Sequence, residues 1–171
     1  MRTQRDIAKA FEDVAGAFRH RPELGIGTQS SVTKVVNGLL CEVSEGDWTF
    51  SVDMPEAAGG SGTAPTPGVL GRAALGSCLA MSYMMWASKL GIEINALEVQ
   101  VQADYDEGAI FGTSDAAPGY SEVRYCVKIE SAADEAVIIR LLDEADRHSP
   151  YLDVFTRPQQ LVRRVEVTAP V

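Results

Sequence analysis

Apolar residues recur along the chain with two different periods, and the switches between them mark its elements. Ile7, Phe11, Val14 and Phe18 form one stripe at helical spacing, which predicts a helix over residues 3–19. Thr3, with Asp6 three residues on, suits its capping box. Such a stripe must pack on something, either this domain or a second copy of the chain. Pro22 and Gly25-Ile26-Gly27 break the pattern. From Ser30 to Asp53 the period is that of strands, with Val32–Val36 and Leu39–Val43 as segments. Asn37-Gly38 between them fits a hairpin turn or a bulge in one long strand, and the shortness of the segments favours the bulge. After Glu45-Gly46-Asp47, Trp48, Phe50 and Val52 alternate as a further strand.

Residues 54–68 are dominated by Ala, Gly, Ser and Pro and read as a loop approaching a helix. Thr66 is suited to cap that helix and Pro67 to open its first turn. The helix is predicted over 67–90, apolar on most of its circumference, with Gly91 ending it. Leu97–Tyr105 alternates as a half-buried strand, 106–118 is a loop, and Val123, Tyr125, Val127 and Ile129 alternate again. Ser131 and Asp134 open a helix with Val137, Ile138, Leu141, Leu142 and Ala145 inward, which must stop before Pro150. A final strand is predicted over Leu161–Val167, its alternation offset at Val162-Arg163-Arg164.

These elements predict an α+β fold, an antiparallel sheet wrapped around a long central helix. A single sheet of this size leaves a helix that is apolar all round incompletely covered. A symmetric homodimer, two sheets enclosing two such helices, would finish the burial. The 171 residues divide into a helical extension over 1–28 and one domain over 29–171, without internal repeats.

Charge and composition narrow the function. The net charge of −9 makes nucleic acid and anionic membranes poor partners. The start of the chain has no apolar secretory core, and the stretch from Val69 to Leu90 is too interrupted by polar residues for a membrane span. Three cysteines without a CxxC pair predict free thiols in a reducing, cytoplasmic setting. His20 and His148 have no metal-site spacing around them, so no metal is expected.

Each thiol admits a plain structural reading beside a reactive one. Cys41 lies among Leu39, Leu40 and Val43, where a buried structural thiol is the default. Cys126 falls on the strand face of Arg124 and Lys128, whose charges would favour a thiolate, although a covered face also takes a small residue. Cys78 lies inside the long helix between Gly76 and Ser82. Glycine there costs about 1 kcal/mol relative to alanine, so it points to close backbone approach or a kink. Small residues in a helix also serve helix packing, and the residues alone support no more than a buried thiol site.

The stretch Asp53-Met54-Pro55 through Gly59-Gly60 to Pro67 and Leu70-Gly71-Arg72-Ala73-Ala74-Leu75-Gly76-Ser77-Cys78 resembles the signature of the OsmC/Ohr family. Leu90-Gly91-Ile92 with the following strand, and Ala145–Tyr151, are also similar, so that the resemblance spans roughly 30–168. It implies an intertwined homodimer in which Cys78 is the peroxidatic thiol, with no bound cofactor and an external dithiol as reductant. The partners implied are a second copy of the chain and a hydroperoxide or small apolar ligand. In the family a second cysteine resolves the first, while an early-strand arginine and a glutamate after the helix-opening proline hold the thiolate. Here Ser149 stands at the second cysteine's position, Gly68 at the glutamate's, and no arginine lies around Asn37–Leu40. Arg72 sits about 240° around the helix from Cys78. The expected function is a hydroperoxide reductase with one peroxidatic cysteine. The alternatives are a degenerate dimeric binding module and a sensor pairing Cys78 with Cys126 or Cys41.

Overall fold

The computed structural model describes residues 2–169. A helix, α1 (Gln4–His20), precedes three strands, β1 (Val32–Asn37), β2 (Leu40–Glu45) and β3 (Trp48–Val52). The long helix α2 (Pro67–Leu90) and strand β4 (Ala96–Tyr105) follow, then a single helical turn, α3 (Glu107–Ile110). Strand β5 (Tyr120–Glu130) and helices α4 (Glu135–Asp146) and α5 (Pro150–Thr156) complete the regular structure.

Two antiparallel sheets form where one was expected, β1-β2-β3 and β4-β5. The bulge expected at Asn37-Gly38 is instead a hairpin. Asn37 pairs with Leu40, so Gly38 and Leu39 are the loop, and Gly38 takes φ 57°. A primed turn, whose twist matches that of the strands, needs positive φ at this first loop position. An irregularity does occur, but in the flank between Val35 and Asn37.

The core lies on one side of α2. Leu75, Leu79 and Tyr83, one turn apart, are buried with Ala145 of α4. Leu97, Val99 and Val101 of β4 pack on them, as do Val123 and Val127 of β5 and Leu152 and Phe155 of α5. Gly76 is where β4 comes close, since a Cβ there would sit 3.3 Å from Val101 Cγ2. Another stripe of α2 stays open, with Met81 60% and Met85 44% exposed.

Helix α1 packs on α2 of its own chain. The Gln4 side chain donates to the Ile92 carbonyl and accepts from the Ile94 N–H, both at 3.0 Å. Phe11 meets Trp86 edge-on, and the Lys89 ammonium lies 4.1 Å from the Trp86 ring centroid. Thr3 and Asp6 form the expected capping box.

The strand expected over Leu161–Val167 does not form. Residues 158–169 carry no regular structure, and Leu161 is 94% exposed. A strand exists only through a neighbour's backbone groups, and none of β1–β5 pairs with this segment. Arg163-Arg164 also interrupts its alternation, which leaves it no single apolar face.

Candidate active site around Cys78

The approach to α2 is organised by a buried carboxylate. Asp53 closes β3 and is 1% exposed. Its Oδ2 accepts from the Ser61 hydroxyl at 2.6 Å, the Thr63 hydroxyl at 3.2 Å and the backbone N–H groups of Ser61 and Thr63. Its Oδ1 accepts from Met54 N–H at 2.8 Å. The Ser61 hydroxyl, with the N–H groups of Thr63, Met54 and Ser61, holds the Asp53 carboxyl well below the usual range against the opposing effect of burial. Gly60 is obligatory in this loop, because a Cβ would fall 1.9 Å from the Met54 carbonyl oxygen. The loop delivers Thr66, whose hydroxyl accepts from Val69 N–H at 3.4 Å and starts α2 as expected.

Cys78 and Ser82, one turn apart on α2, both meet the junction between α4 and α5. Ser82 donates to the Ala145 carbonyl at 3.4 Å. The half-buried Cys78 sulfur lies 3.6 Å from the Ser149 hydroxyl. Ser149 is 3% exposed and begins α5, accepting from Leu152 N–H at 3.4 Å, with Pro150 in the first turn. The small polar patch on α2 is therefore half of a contact whose other half lies 71 residues downstream.

A second polar arrangement, part-buried, fixes the end of α4. Asp146 accepts from Tyr83 of α2 and Tyr125 of β5, each at 2.7 Å. Burial first, then the Asp146 carboxylate, raises both phenols. Tyr83 goes far above its ordinary range and Tyr125 up to about 12. This clamp ties three elements together three residues before Ser149. No spacing in the sequence indicated it.

The remaining candidate residues lie elsewhere. Cys41 is half-buried in β2 and donates to the Leu39 carbonyl at 3.6 Å. Cys126 is exposed, so the face it shares with Arg124 and Lys128 is not the covered one a small residue there suggests. Those cations are engaged, however, Arg124 with Asp104 at 2.6 Å and Lys128 with Glu98 at 2.5 Å. Arg72 reaches the Tyr120 hydroxyl at 3.4 Å. Gly68, at the position where the resemblance puts a glutamate, accepts from Tyr120 through its carbonyl at 3.1 Å. Among the described residues, no cluster of three or more His, Cys, Asp or Glu could hold a metal ion. No described helix is long and apolar enough to cross a membrane.

An antiparallel α+β scaffold with a long helix presenting a thiol to a helix-capping hydroxyl defines a class of thiol-bearing proteins. The comparisons with known proteins make the class specific. A sequence profile of the family described as OsmC-like protein matches residues 60–162, and the chain belongs to that family. Among solved structures, an OsmC-like protein from Mycoplasma pneumoniae superposes with a TM-score of 0.65 at 15% identity, covering 75% of this chain and 87% of that one. An organic hydroperoxide resistance protein from Legionella pneumophila gives 0.58 at 17% identity, covering 77% and 90%. A putative osmotic stress induced and detoxification response protein from Psychrobacter arcticus gives 0.60 at 17%, covering 75% and 89%. At these identities the superpositions speak for the fold. No curated protein matches the chain.

Proposed function

We propose that the chain reduces organic hydroperoxides through Cys78 alone, with external thiols completing the cycle. The Cys78 thiolate attacks the terminal peroxide oxygen and the O–O bond breaks. The sulfur gives up two electrons and becomes a sulfenic acid, and the alkoxide takes a proton and leaves as an alcohol. An external thiol then condenses with the sulfenic acid, forming a mixed disulfide and releasing water. A second thiol, or the second arm of a dithiol, frees Cys78 and leaves oxidised.

The observation that carries this reading is the Cys78–Ser149 contact. It sets a half-buried sulfur against a buried hydroxyl where the family resemblance puts a second thiol. Membership of the OsmC-like family and the organic hydroperoxide resistance protein among the structural relatives support it. Three free cysteines fit a reducing, cytoplasmic compartment. The working unit is a dimer. A second copy would cover the open stripe of α2 and the apolar residues of β1–β3, of which Trp48 is 78% and Val35 69% exposed.

The test is turnover of an organic hydroperoxide with a small dithiol. Activity is expected in the native chain, lost in Cys78→Ser and kept in Cys126→Ser. Equal activity in Cys78→Ser, or none in the native chain with any thiol, would overturn the reading.

A further inference from the structure

We infer that Ser149 is the hydrogen-bond donor to the Cys78 sulfur when that sulfur carries charge, an inference that rests on Cys78 being the reactive thiol. Ser149 is 3% exposed, so its polar atoms must find partners within the protein. Its oxygen already accepts from Leu152 N–H at 3.4 Å. The Cys78 sulfur lies 3.6 Å away, where either atom could donate while the thiol is neutral, but only the hydroxyl can donate once the sulfur is charged. An O–H donated to a charged sulfur favours the charged form.

Arg72 and the charged groups flanking the α4–α5 junction are engaged elsewhere. Arg72 of α2 reaches Tyr120. At the end of α4, Asp146 is held by two tyrosines, while Arg147 and His148 pair with Glu144. On α5, Arg157 pairs with Asp153. Within the single chain, the hydroxyl is the polar group recorded against the sulfur. Residue type fits as well, because Ser, Thr, Asp and Asn all cap helices, but an Asp here would set a second anion against the sulfur.

Two variants separate this role from the cap. Ser149→Ala removes both donor and cap. Ser149→Gly removes the donor and leaves a tolerated helix cap. Alkylation of Cys78 by iodoacetamide, followed by peptide mass spectrometry from mildly acidic to alkaline pH, reads the thiolate. Melting temperature reads the cap. Both variants are expected to move the Cys78 profile to higher pH and to slow alkylation at neutral pH by about tenfold or more, the scale of one hydrogen bond to a charged atom. Ser149→Thr is expected to restore both.

An unchanged profile in Ser149→Gly, with Cys78 still reactive, overturns the inference and leaves the peroxidase reading standing. Shifted profiles in a protein that turns over no hydroperoxide do the reverse. A Cys78 that alkylates in no variant at any pH overturns both.

Discussion

At the scale of single residues, the site consists of one sulfur and what was placed beside it. That Cys78 is the candidate thiol was legible from its motif. That Ser82 and Gly76 mark where α2 meets something was legible too, and the partners proved to be the α4–α5 junction and β4. Which atom faces the sulfur was not legible from the residues, because Ser149 is distant in sequence and only folding joins the two. Replacing that hydroxyl with a thiol should expose the geometry. With 3.6 Å between sulfur and oxygen, Ser149→Cys is expected to form a disulfide with Cys78 under mild peroxide. Non-reducing peptide mapping checks this, and two free thiols after oxidation would show that the side chains diverge. Gly60 offers a second test, independent of the thiol. Its missing Cβ leaves room for the Met54 carbonyl, so Gly60→Ala must displace the loop beneath α2. Overpacking of this kind costs about 1–3 kcal/mol or more, measurable by denaturant unfolding.

Among the elements, those with a clean period were read correctly, and the misses have physical causes. Helices α1, α2 and α4 and strands β4 and β5 declare themselves because each packs one face, or one stripe, on a neighbour, while β3 keeps the strand period although Trp48 and Phe50 stand exposed. Helix α5 has no expectation in the sequence, because Pro150 reads there as the stop of α4. Ser149 followed by Pro150 is the same start signal as Thr66 followed by Pro67, a capping side chain and then a proline without an N–H to satisfy. The hairpin at Gly38 was misjudged because turn and bulge share the same glycine. What no period could convey is the clamp joining α2, β5 and α4 through Tyr83, Tyr125 and Asp146. Phenols raised above their unfolded value of 10.0 hold their protons better in the fold. They therefore stabilise it below that pH, and the contribution is lost as pH climbs through the folded values. Tyr83→Phe should lower stability at neutral pH by about 1–2 kcal/mol, because it leaves an Asp146 oxygen short of a donor. Unfolding of the native chain between pH 10 and 12 should be steeper than in a Tyr83→Phe, Tyr125→Phe double variant. Parallel curves would mean that the clamp carries no such linkage.

For the whole molecule, the central expectation was a helix too apolar for one chain to cover, and the single chain does leave it half open. The stripe through Met81 and Met85, the β1–β3 surface with Trp48 and Phe50, and the segment from Leu161 to Val167 all stand in solvent. The missing C-terminal strand belongs to the same account, since its apolar positions have no strand of their own chain to join. Light scattering should give twice the mass of the chain. Met81→Glu, which places a charge on the open stripe, should shift it toward the monomer without unfolding β4–β5. A monomeric native chain would remove the dimer from the proposal.

The most direct test of the functional claim is a single exposure of the reduced protein to one equivalent of an organic hydroperoxide, followed by mass spectrometry of its thiol-bearing peptides. The expected result is one added oxygen on the Cys78 peptide, trapped as a sulfenic acid, with an equivalent of alcohol released. Oxygen found only on methionines or Cys126, with Cys78 still a free thiol, would contradict it.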